Sequence, residues 1–302
     1  MYQNYSEVLL KAKSLGPFII SVAVAQDREV LEAVKLARDI GLANAILVGD
    51  ENLIGPLLAE VGLSSETVII HESEAAKAAL TAVSLAKQGK AHIVMKGHIN
   101  SSDFLRAVLN KEEGLRTGRL LSHLAVFEIP GQDKLLFVTD GGMNIAPTLL
   151  EKKDILVSAM LALHGMGITN PHVAILTANE QVSAKMPATV DAQALVEMSA
   201  GGQLPRGIVE GPIAFDVAVN LESAKHKNIH SQVSGKVDLF LTPNIETGNV
   251  LGKMLIFYAK AKMAGLVLGA THPIVMTSRA ETSEGKLNSI ALACLAYCEK
   301  KE

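Results

Sequence analysis

The chain has 302 residues, which is enough for two domains of ordinary size or for one large α/β unit. Hydrophobic residues make up 49% of it and aromatic residues only 4%, so the expected core of Ala, Val, Ile and Leu is that of parallel strands covered by helices. The formal charge of −3 argues against a surface for general binding of nucleic acid or acidic membranes.

The start of the chain and its cysteines predict a cytoplasmic protein. Residues 1–16 have the pattern of an amphipathic helix and lack the basic start and continuous apolar stretch of a signal peptide. No window approaches 18 uninterrupted apolar residues, so we expect no membrane partner. Cys294 and Cys298 lie on the last predicted helix, where they are expected to pack and not to form a disulfide or a metal site.

Strand and helix patterns alternate through the first third of the chain. The predicted strands are the runs "PFIISVAVA", "ANAILVG", "TVII" and "AHIVM", and the helical patterns after them cover 27–40, 51–61, 74–88 and 101–109. Short β-rich runs separated by about 10 to 15 residues of helical pattern are typical of βαβ units in a parallel sheet.

The pattern changes after Arg119. The adjacent runs "LSHLAVFEIP" and "KLLFVTD", joined by 131–133, predict a hairpin or an antiparallel addition to a sheet. A long helix over 149–166 and a second α/β stretch follow, with the runs "HVAILTA", "VDLFLTPN" and "GLVLGA". Two α/β segments with an insertion between them predict two lobes and a cleft, where ligands would bind beyond the carboxyl ends of strands.

The loop after "AHIVM" is the first of four candidate loops. It holds Lys96, then Ser101 or Ser102 as the expected helix cap, then Arg106 one turn later. A helix N-terminus beside Lys and Arg indicates an anion site. The alternative is an ordinary cap beside a solvated lysine.

The loop after "VDLF" is the second. It holds Asn244, Thr247, Gly248 and Asn249, and Thr247 is predicted to cap a helix that runs to Met263. The alternative is that these polar residues only form the turn and cap the helix, which explains much of the composition of the loop.

Two further loops carry charged residues. Glu210 and Asp216 in "VEGPIAFDVAV" are either site carboxylates or ordinary turn and cap residues. Ser278 and Arg279 follow the apolar run "PIVM", where an unpaired charge is costly, so a carboxylate or a bound anion is expected opposite Arg279.

Several common site motifs do not occur. The sequence has no GxGxxG after a strand, no GxxxxGK[ST], no HExxH and no GxSxG. The nine histidines are scattered, so no metal site is predicted.

Five segments in register resemble the phosphate acetyltransferase and phosphate butyryltransferase family. They are "MKGHINSSDFLRAVL", "LSHLAVFEIP", "VEGPIAFDVAVN", "PNIETGNVLGKML" and "PIVMTSRAETSEGKLNSIALA". "RTGRLLSHLAVFE" and "MTSRAETSEGKLNSIALA" look closer to the butyryl branch. The resemblance implies that acyl-CoA and phosphate give acyl phosphate and CoA, without a metal or prosthetic group.

The resemblance also implies an architecture. It is a two-domain α/β fold similar to isocitrate and isopropylmalate dehydrogenases, with mostly parallel sheets flanked by helices and the site in an interdomain cleft. The expected domains are a discontinuous first domain over 1–132 and 274–302 and a second over 133–273. A homo-oligomer is expected.

Residue roles carry over by the same resemblance. Ser278 would donate to the developing oxyanion or the thioester, and Arg279 would hold phosphate or acyl phosphate. The acetyl branch has an Asp base where this chain has Gly285, so either Glu284 takes that role or no dedicated carboxylate is needed. The expected substrate-binding residues are Lys96, Ser101, Arg106, Ser122, His123, Asn244, Thr247, Gly248 and Asn249.

Other activities remain as alternatives. A phosphate acetyltransferase is the nearest of them. A metal- and NAD-dependent dehydrogenase of the same fold would require clustered Asp ligands, and a non-catalytic two-lobed binding protein would show no turnover.

Overall fold

The computed structural model describes residues 1–63, 67–278 and 281–298. The strands are β1 (Phe18–Ala23), β2 (Ala43–Gly49), β3 (Val68–His71), β4 (Ile93–Lys96), β5 (Ser122–Glu128), β6 (Leu136–Thr139), β7 (His172–Leu176), β8 (Ile208–Ile213), β9 (Leu239–Leu241), β10 (Lys262–Leu268) and β11 (Ile274–Val275). The helices are α1 (Tyr5–Leu15), α2 (Arg28–Asp39), α3 (Glu51–Val61), α4 (Ala75–Lys87), α5 (Ser101–Val108), α6 (Leu149–Gly165), α7 (Pro187–Ala200), α8 (Phe215–Val219), α9 (Leu221–His226), α10 (Ile245–Phe257) and α11 (Ser283–Cys298). Among the described residues, no helix combines the length and apolarity needed to cross a membrane.

The chain divides into two compact units. The first unit comprises Asn4–Arg119 and Ala264–Glu302, and the second comprises Met1–Gln3 and Leu120–Met263. The boundaries predicted after 132 and 273 lie further along the chain than these divisions. The first of them falls in the turn between β5 and β6, whereas both strands of this hairpin belong to the second unit.

The sheet of the first unit has the strand order β3-β2-β1-β4-β11-β10. Its strands are parallel except β10, which runs antiparallel to β11, so the predicted βαβ alternation is confirmed. Helix α4 packs on β1 and β2, and α11 packs on β4 and β11 and against α1 and α2. Every residue of α11 from Gly285 to Ala296 is buried, which makes it a core helix.

The sheet of the second unit has the strand order β5-β6-β9-β7-β8. Strands β6, β9, β7 and β8 are parallel, and β5 is antiparallel to β6, which confirms the predicted hairpin. Phe127 on β5 and Phe240 on β9 belong to one buried core on one face of this sheet, whereas Phe137 on β6 is fully buried on the opposite face. The carboxyl ends of the parallel strands meet at one edge, where polar residues of the loops gather.

Helix α10 ends earlier than the sequence predicts. It was expected to reach Met263 but ends at Phe257. Lys260 adopts φ +57°, a left-handed conformation that terminates helices. The chain then enters β10 at Lys262, so the predicted last turn of the helix is the start of a strand.

A buried ion cluster joins the amino ends of three strands in the second unit. The Asp238 carboxylate, whose side chain is 6% exposed, pairs with Lys134 Nζ. Its Oδ2 accepts a hydrogen bond from the His172 backbone N at 2.8 Å and lies 3.3 Å from His172 Nδ1. Because these residues begin or precede β9, β6 and β7, the cluster fixes the strands at the edge opposite the polar loops.

We predict that Asp238→Ala lowers the free energy of unfolding by about 2–3 kcal/mol, because it removes the charged partner of Lys134 and the acceptor of the His172 backbone N–H. Urea denaturation followed by circular dichroism measures the change. Glu222→Ala, which breaks an exposed pair with Lys225, is the control and should leave the midpoint almost unchanged. Equal midpoints for the two variants would contradict a structural role for the cluster.

Candidate functional site

Polar residues line the carboxyl edge of the sheet in the second unit. Because β5 is antiparallel to β6, its first residues lie beside the end of β6, and the pairing of Ala125 with Val138 places His123 opposite Asp140. The loop after β9, the parallel neighbour of β6, leads into α10 at the same edge. The predicted residues found here are Ser122, His123, Asn244, Thr247, Gly248 and Asn249.

The Asp140 carboxylate organises this edge. Its Oδ1 accepts hydrogen bonds from the backbone N of Gly142 at 2.8 Å and of Met143 at 2.9 Å. Its Oδ2 accepts from the backbone N of His123 at 3.1 Å and from Asn144 Nδ2 at 2.6 Å. With four donors and 2% exposure, Asp140 holds the loop after β6 against the start of β5.

Asp140 is not among the residues predicted from the sequence. The signal was present in "VTDGGMN", since an Asp that ends a strand before two glycines is typical of a turn closed by side-chain hydrogen bonds to the backbone. The pairing with His123 is not visible in the sequence, because it depends on the register of β5 and β6.

The loops after β6 and β9 are in backbone contact. A Cβ built on Gly248 would lie 2.6 Å from Gly141 Cα, and a Cβ on Gly141 would lie 2.6 Å from Gly248 C. Thr242 Oγ1 donates to the Asp140 carbonyl O at 3.1 Å, and Asn249 Nδ2 donates to Gly141 O at 3.3 Å. Both glycines are therefore required by the close approach of two backbones.

The cap of α10 differs from the prediction. Asn244, not Thr247, is the N-cap: its Oδ1 accepts from the Thr247 backbone N at 3.0 Å and from Thr247 Oγ1 at 2.7 Å. Asn244 has the extended backbone that a cap requires, whereas Thr247 already lies inside the first turn.

The first two residues of β5 have different surroundings. Ser122 is fully buried, and its hydroxyl has no hydrogen-bond partner within the described residues. The ring of His123 packs against Gly142, where a Cβ would lie 3.1 Å from it. Burial lowers the pKa of His123 below its usual 6.5, and the Asp140 charge opposes this only in part. A neutral imidazole donates one hydrogen bond and accepts another.

Lys96 ends β4 in the first unit. It is buried, and its Nζ donates to the carbonyl O of Ile99 at 2.8 Å and of Gly97 at 3.3 Å. A Cβ on Gly97 would lie 2.2 Å from Val24 O, so glycine lets this loop follow the end of β1 closely. Carbonyl groups of the loop thus bind the buried ammonium group. This contact contradicts the alternative in which Lys96 is a solvated lysine.

The helix after this loop is capped by Asn100 and not by Ser101 or Ser102. Asn100 Oδ1 accepts from the Asp103 backbone N at 2.8 Å, and Ser101 is the exposed first residue of α5. The Arg106 guanidinium is 75% exposed and pairs with Asp103. Hydrogen bonds from Asn100 and Arg106 lower the pKa of Asp103. Arg106 is thus engaged by a carboxylate of its own helix.

The segment between β11 and α11 follows the strand paired with β4. The register pairs Val275 with Met95, so this segment and Lys96 leave the same edge of the sheet. Ser278 is exposed, Arg279 lies outside the described residues, and Glu284 is exposed in the first turn of α11. Lys286 was not among the predicted residues. It is 2% exposed, and its Nζ donates to the carbonyl O of Glu281 in this segment.

Glu210 and Asp216 have structural partners. Glu210 accepts from Ser231 Oγ at 2.5 Å and from the Gln232 backbone N at 2.7 Å, which anchors the loop before β9. Asp216, in the first turn of α8, pairs with Lys227 Nζ at 3.1 Å. These contacts favour the turn and cap interpretation of both carboxylates. Within the described ranges, no three His, Cys, Asp or Glu side chains are grouped as metal ligands.

A family model described as "Phosphate acetyl/butaryl transferase" matches residues 66–294. The chain belongs to this family. A phosphate butyryltransferase of Clostridium acetobutylicum is 47% identical over 99% of this chain and 100% of that protein. A phosphate acetyltransferase of Rhizobium meliloti is 40% identical over 99% of this chain and 95% of that protein. The predicted family is thereby confirmed.

Solved structures of similar proteins have the same fold. A branched-chain phosphotransacylase from Enterococcus faecalis superimposes with a TM-score of 0.80 at 30% identity and covers 93% of this chain and 99% of its own. A 4-hydroxythreonine-4-phosphate dehydrogenase from Klebsiella pneumoniae, at 14% identity and a TM-score of 0.57 over 93% of this chain and all of its own, shares the fold alone. The predicted dehydrogenase-like α/β fold is confirmed.

We predict that Gly248→Ala lowers the free energy of unfolding by about 1–3 kcal/mol, because the new methyl group would overlap the backbone of Gly141. The control is Gly55→Ala in α3, where a Cβ meets nothing within 4 Å apart from its chain neighbours. The helix-propensity gain of about 0.5–1 kcal/mol is offset there by crowding against Pro56, so stability should change little. Chemical denaturation of both variants makes the comparison. A stabilised Gly248→Ala variant would contradict the close approach of the two loops.

We predict that the folded protein loses stability at acid pH because His123 becomes protonated. Its folded pKa lies below the unfolded value of about 6.5, so the unfolded chain binds the extra proton first. The contribution of the neutral ring to the free energy of unfolding is fully present above pH 6.5. It is lost as the pH falls through the folded pKa. His123→Gln should flatten the dependence of the denaturation midpoint on pH below 6.5, relative to the exposed control His226→Gln. Parallel curves for both variants would contradict the prediction.

Proposed function

We propose that the protein is a phosphate acyltransferase that converts a short-chain acyl-CoA, preferentially butyryl-CoA, and inorganic phosphate to acyl phosphate and CoA. The observation that carries this proposal is the 47% identity, over the full length of both chains, to a phosphate butyryltransferase. Phosphate acetyltransferase activity is the second candidate, and it is supported by the relative at 40% identity.

The chemistry explains why basic and hydrogen-bonding residues follow the strands. A phosphate oxygen must be held beside the thioester carbonyl, and a tetrahedral oxyanion then forms. We assign the binding of phosphate to Arg279 and the donation of a hydrogen bond to the oxyanion to Ser278. Lys96 supports this assignment, because its buried ammonium group ends the strand paired with the one that precedes Ser278. A buried cation favours an anionic ligand.

The remaining polar residues have a proposed binding role. Among them are His123 and Asn249, which lie at the carboxyl edge of the second unit's sheet and are partly or fully exposed. Their neutral hydrogen-bonding groups suit the uncharged parts of CoA.

The chemistry of the reaction bears on whether a cofactor is needed. The thiol is a good leaving group and phosphate is the nucleophile, so we propose direct transfer in a ternary complex, with CoA as substrate and without a resident cofactor. We further propose that the enzyme is a cytoplasmic homo-oligomer that binds neither nucleic acid nor membranes, which agrees with its small net charge of −3.

We predict that thiol release from butyryl-CoA depends on phosphate. The assay compares acetyl-, butyryl- and isobutyryl-CoA with and without phosphate, and kcat/KM should be at least about tenfold higher for butyryl- than for acetyl-CoA, because each buried methylene adds binding energy. A preference for acetyl-CoA would favour the second candidate. Thiol release without phosphate, or reduction of NAD, would contradict the transferase.

A further inference from the structure

Gly285, in the first turn of α11, leaves space that is filled by another residue. A Cβ built on Gly285 would lie 2.2 Å from Glu281 Oε1 and 2.7 Å from Glu281 Cδ. The carboxylate of Glu281 therefore folds back over the helix and lies where a side chain at position 285 would begin. A carboxylate occurs next to residue 285 although residue 285 has no side chain.

Glu281 is held by both its side chain and its backbone. Its Oε1 accepts a hydrogen bond from the Thr282 backbone N at 3.1 Å, and its own backbone N donates to Ser278 O at 3.1 Å. Its carbonyl O accepts from Lys286 Nζ, which is almost fully buried. The carboxylate is thus placed three residues from Ser278 and is still partly exposed.

The start of α11 does not require this carboxylate. Thr282 caps the helix, because its Oγ1 accepts from the Gly285 backbone N at 3.1 Å. Glycine is also less favourable than alanine inside a helix, so the space beside residue 285 is kept at the expense of helix stability. Among the described residues, the other charged side chains near Glu281 along the chain are Glu284 and Lys286 on α11, and Lys96 ends β4, the strand paired with β11.

We propose that Glu281, positioned by Gly285 and Lys286, is the group that exchanges a proton with the thiol of CoA. This inference rests on the proposed function. When an acyl phosphate reacts with CoA, the thiol proton passes to the Glu281 carboxylate as the sulfur–carbon bond forms. The carbon–oxygen bond breaks, its electron pair leaves with phosphate, and the proton ends on the phosphate released. The reverse sequence protonates the leaving thiolate.

Glu281→Gln keeps the volume and the acceptor for Thr282 but cannot take up a proton. We expect kcat for acyl-CoA formation near pH 7 to fall roughly 100-fold or more, within the range for general acid–base catalysis. The rate of this variant should then rise about tenfold per pH unit up to the ordinary thiol pKa of about 8.5, while that of the unmodified enzyme changes little. Glu29→Gln, which changes an exposed glutamate in the first turn of α2, is the matched control and should remain within about twofold of the unmodified enzyme.

Gly285→Ala tests the position without changing the carboxylate. The added methyl group displaces the flexible Glu281 side chain, so activity should fall about tenfold or more while thermal stability is kept or increased. In a Glu281→Ala background, Gly285→Asp should restore part of the activity, because it returns a carboxylate to the same space.

Three results would overturn the inference: Glu281→Gln as active as Glu29→Gln, a Glu281→Gln rate reduced by the same factor at every pH, or full activity of Gly285→Ala. Thermal melting of each variant separates these results from loss of folding. Failure of the proposed function itself is distinct, because the unmodified protein would then show no phosphate-dependent turnover.

Discussion

The polar edge of the second unit depends on the Asp140 carboxylate. A buried carboxylate is tolerated only when donors surround it, and Asp140 has four of them, from the loop after β6, from the start of β5 and from Asn144. The backbone of Asp140 extends the same arrangement to the loop after β9 through Thr242. Asp140 therefore fixes the positions of His123, of the loop after β6 and of the loop that leads into α10.

Glycines determine how closely the strand-end loops can approach other groups. Gly141 and Gly248 let two backbones touch in the second unit, and Gly97 lets the loop after β4 lie on the carbonyl of Val24 in the first. Gly285 does something different, because it admits a side chain and not a backbone. In each case the missing Cβ is what allows a polar group to be placed, so the chemistry of these loops is set partly by residues that carry no functional group.

The sequence predicted the architecture more reliably than the details of the site. The βαβ alternation and the hairpin follow from local patterns, since buried parallel strands are short apolar runs and the hairpin turn contains Gly131. Capping was predicted one to three residues late, because neighbouring polar residues compete and only Asn100 and Asn244 have the extended backbone. Asp140 and Glu281 were missed because their roles arise from strand register and from space beside a glycine, which no local pattern records.

The burial of α11 on all sides has a consequence for biosynthesis. This helix is the core of the first unit, yet it is encoded after the whole of the second unit. On the ribosome, residues 4–119 emerge without the helix that covers β4, and at about 5–20 residues per second they wait roughly 10–40 s for it. The second unit is continuous apart from three residues and is complete earlier. The nascent chain thus carries an unfinished, apolar sheet while its insert folds, which makes the first unit the part that molecular chaperones would need to protect.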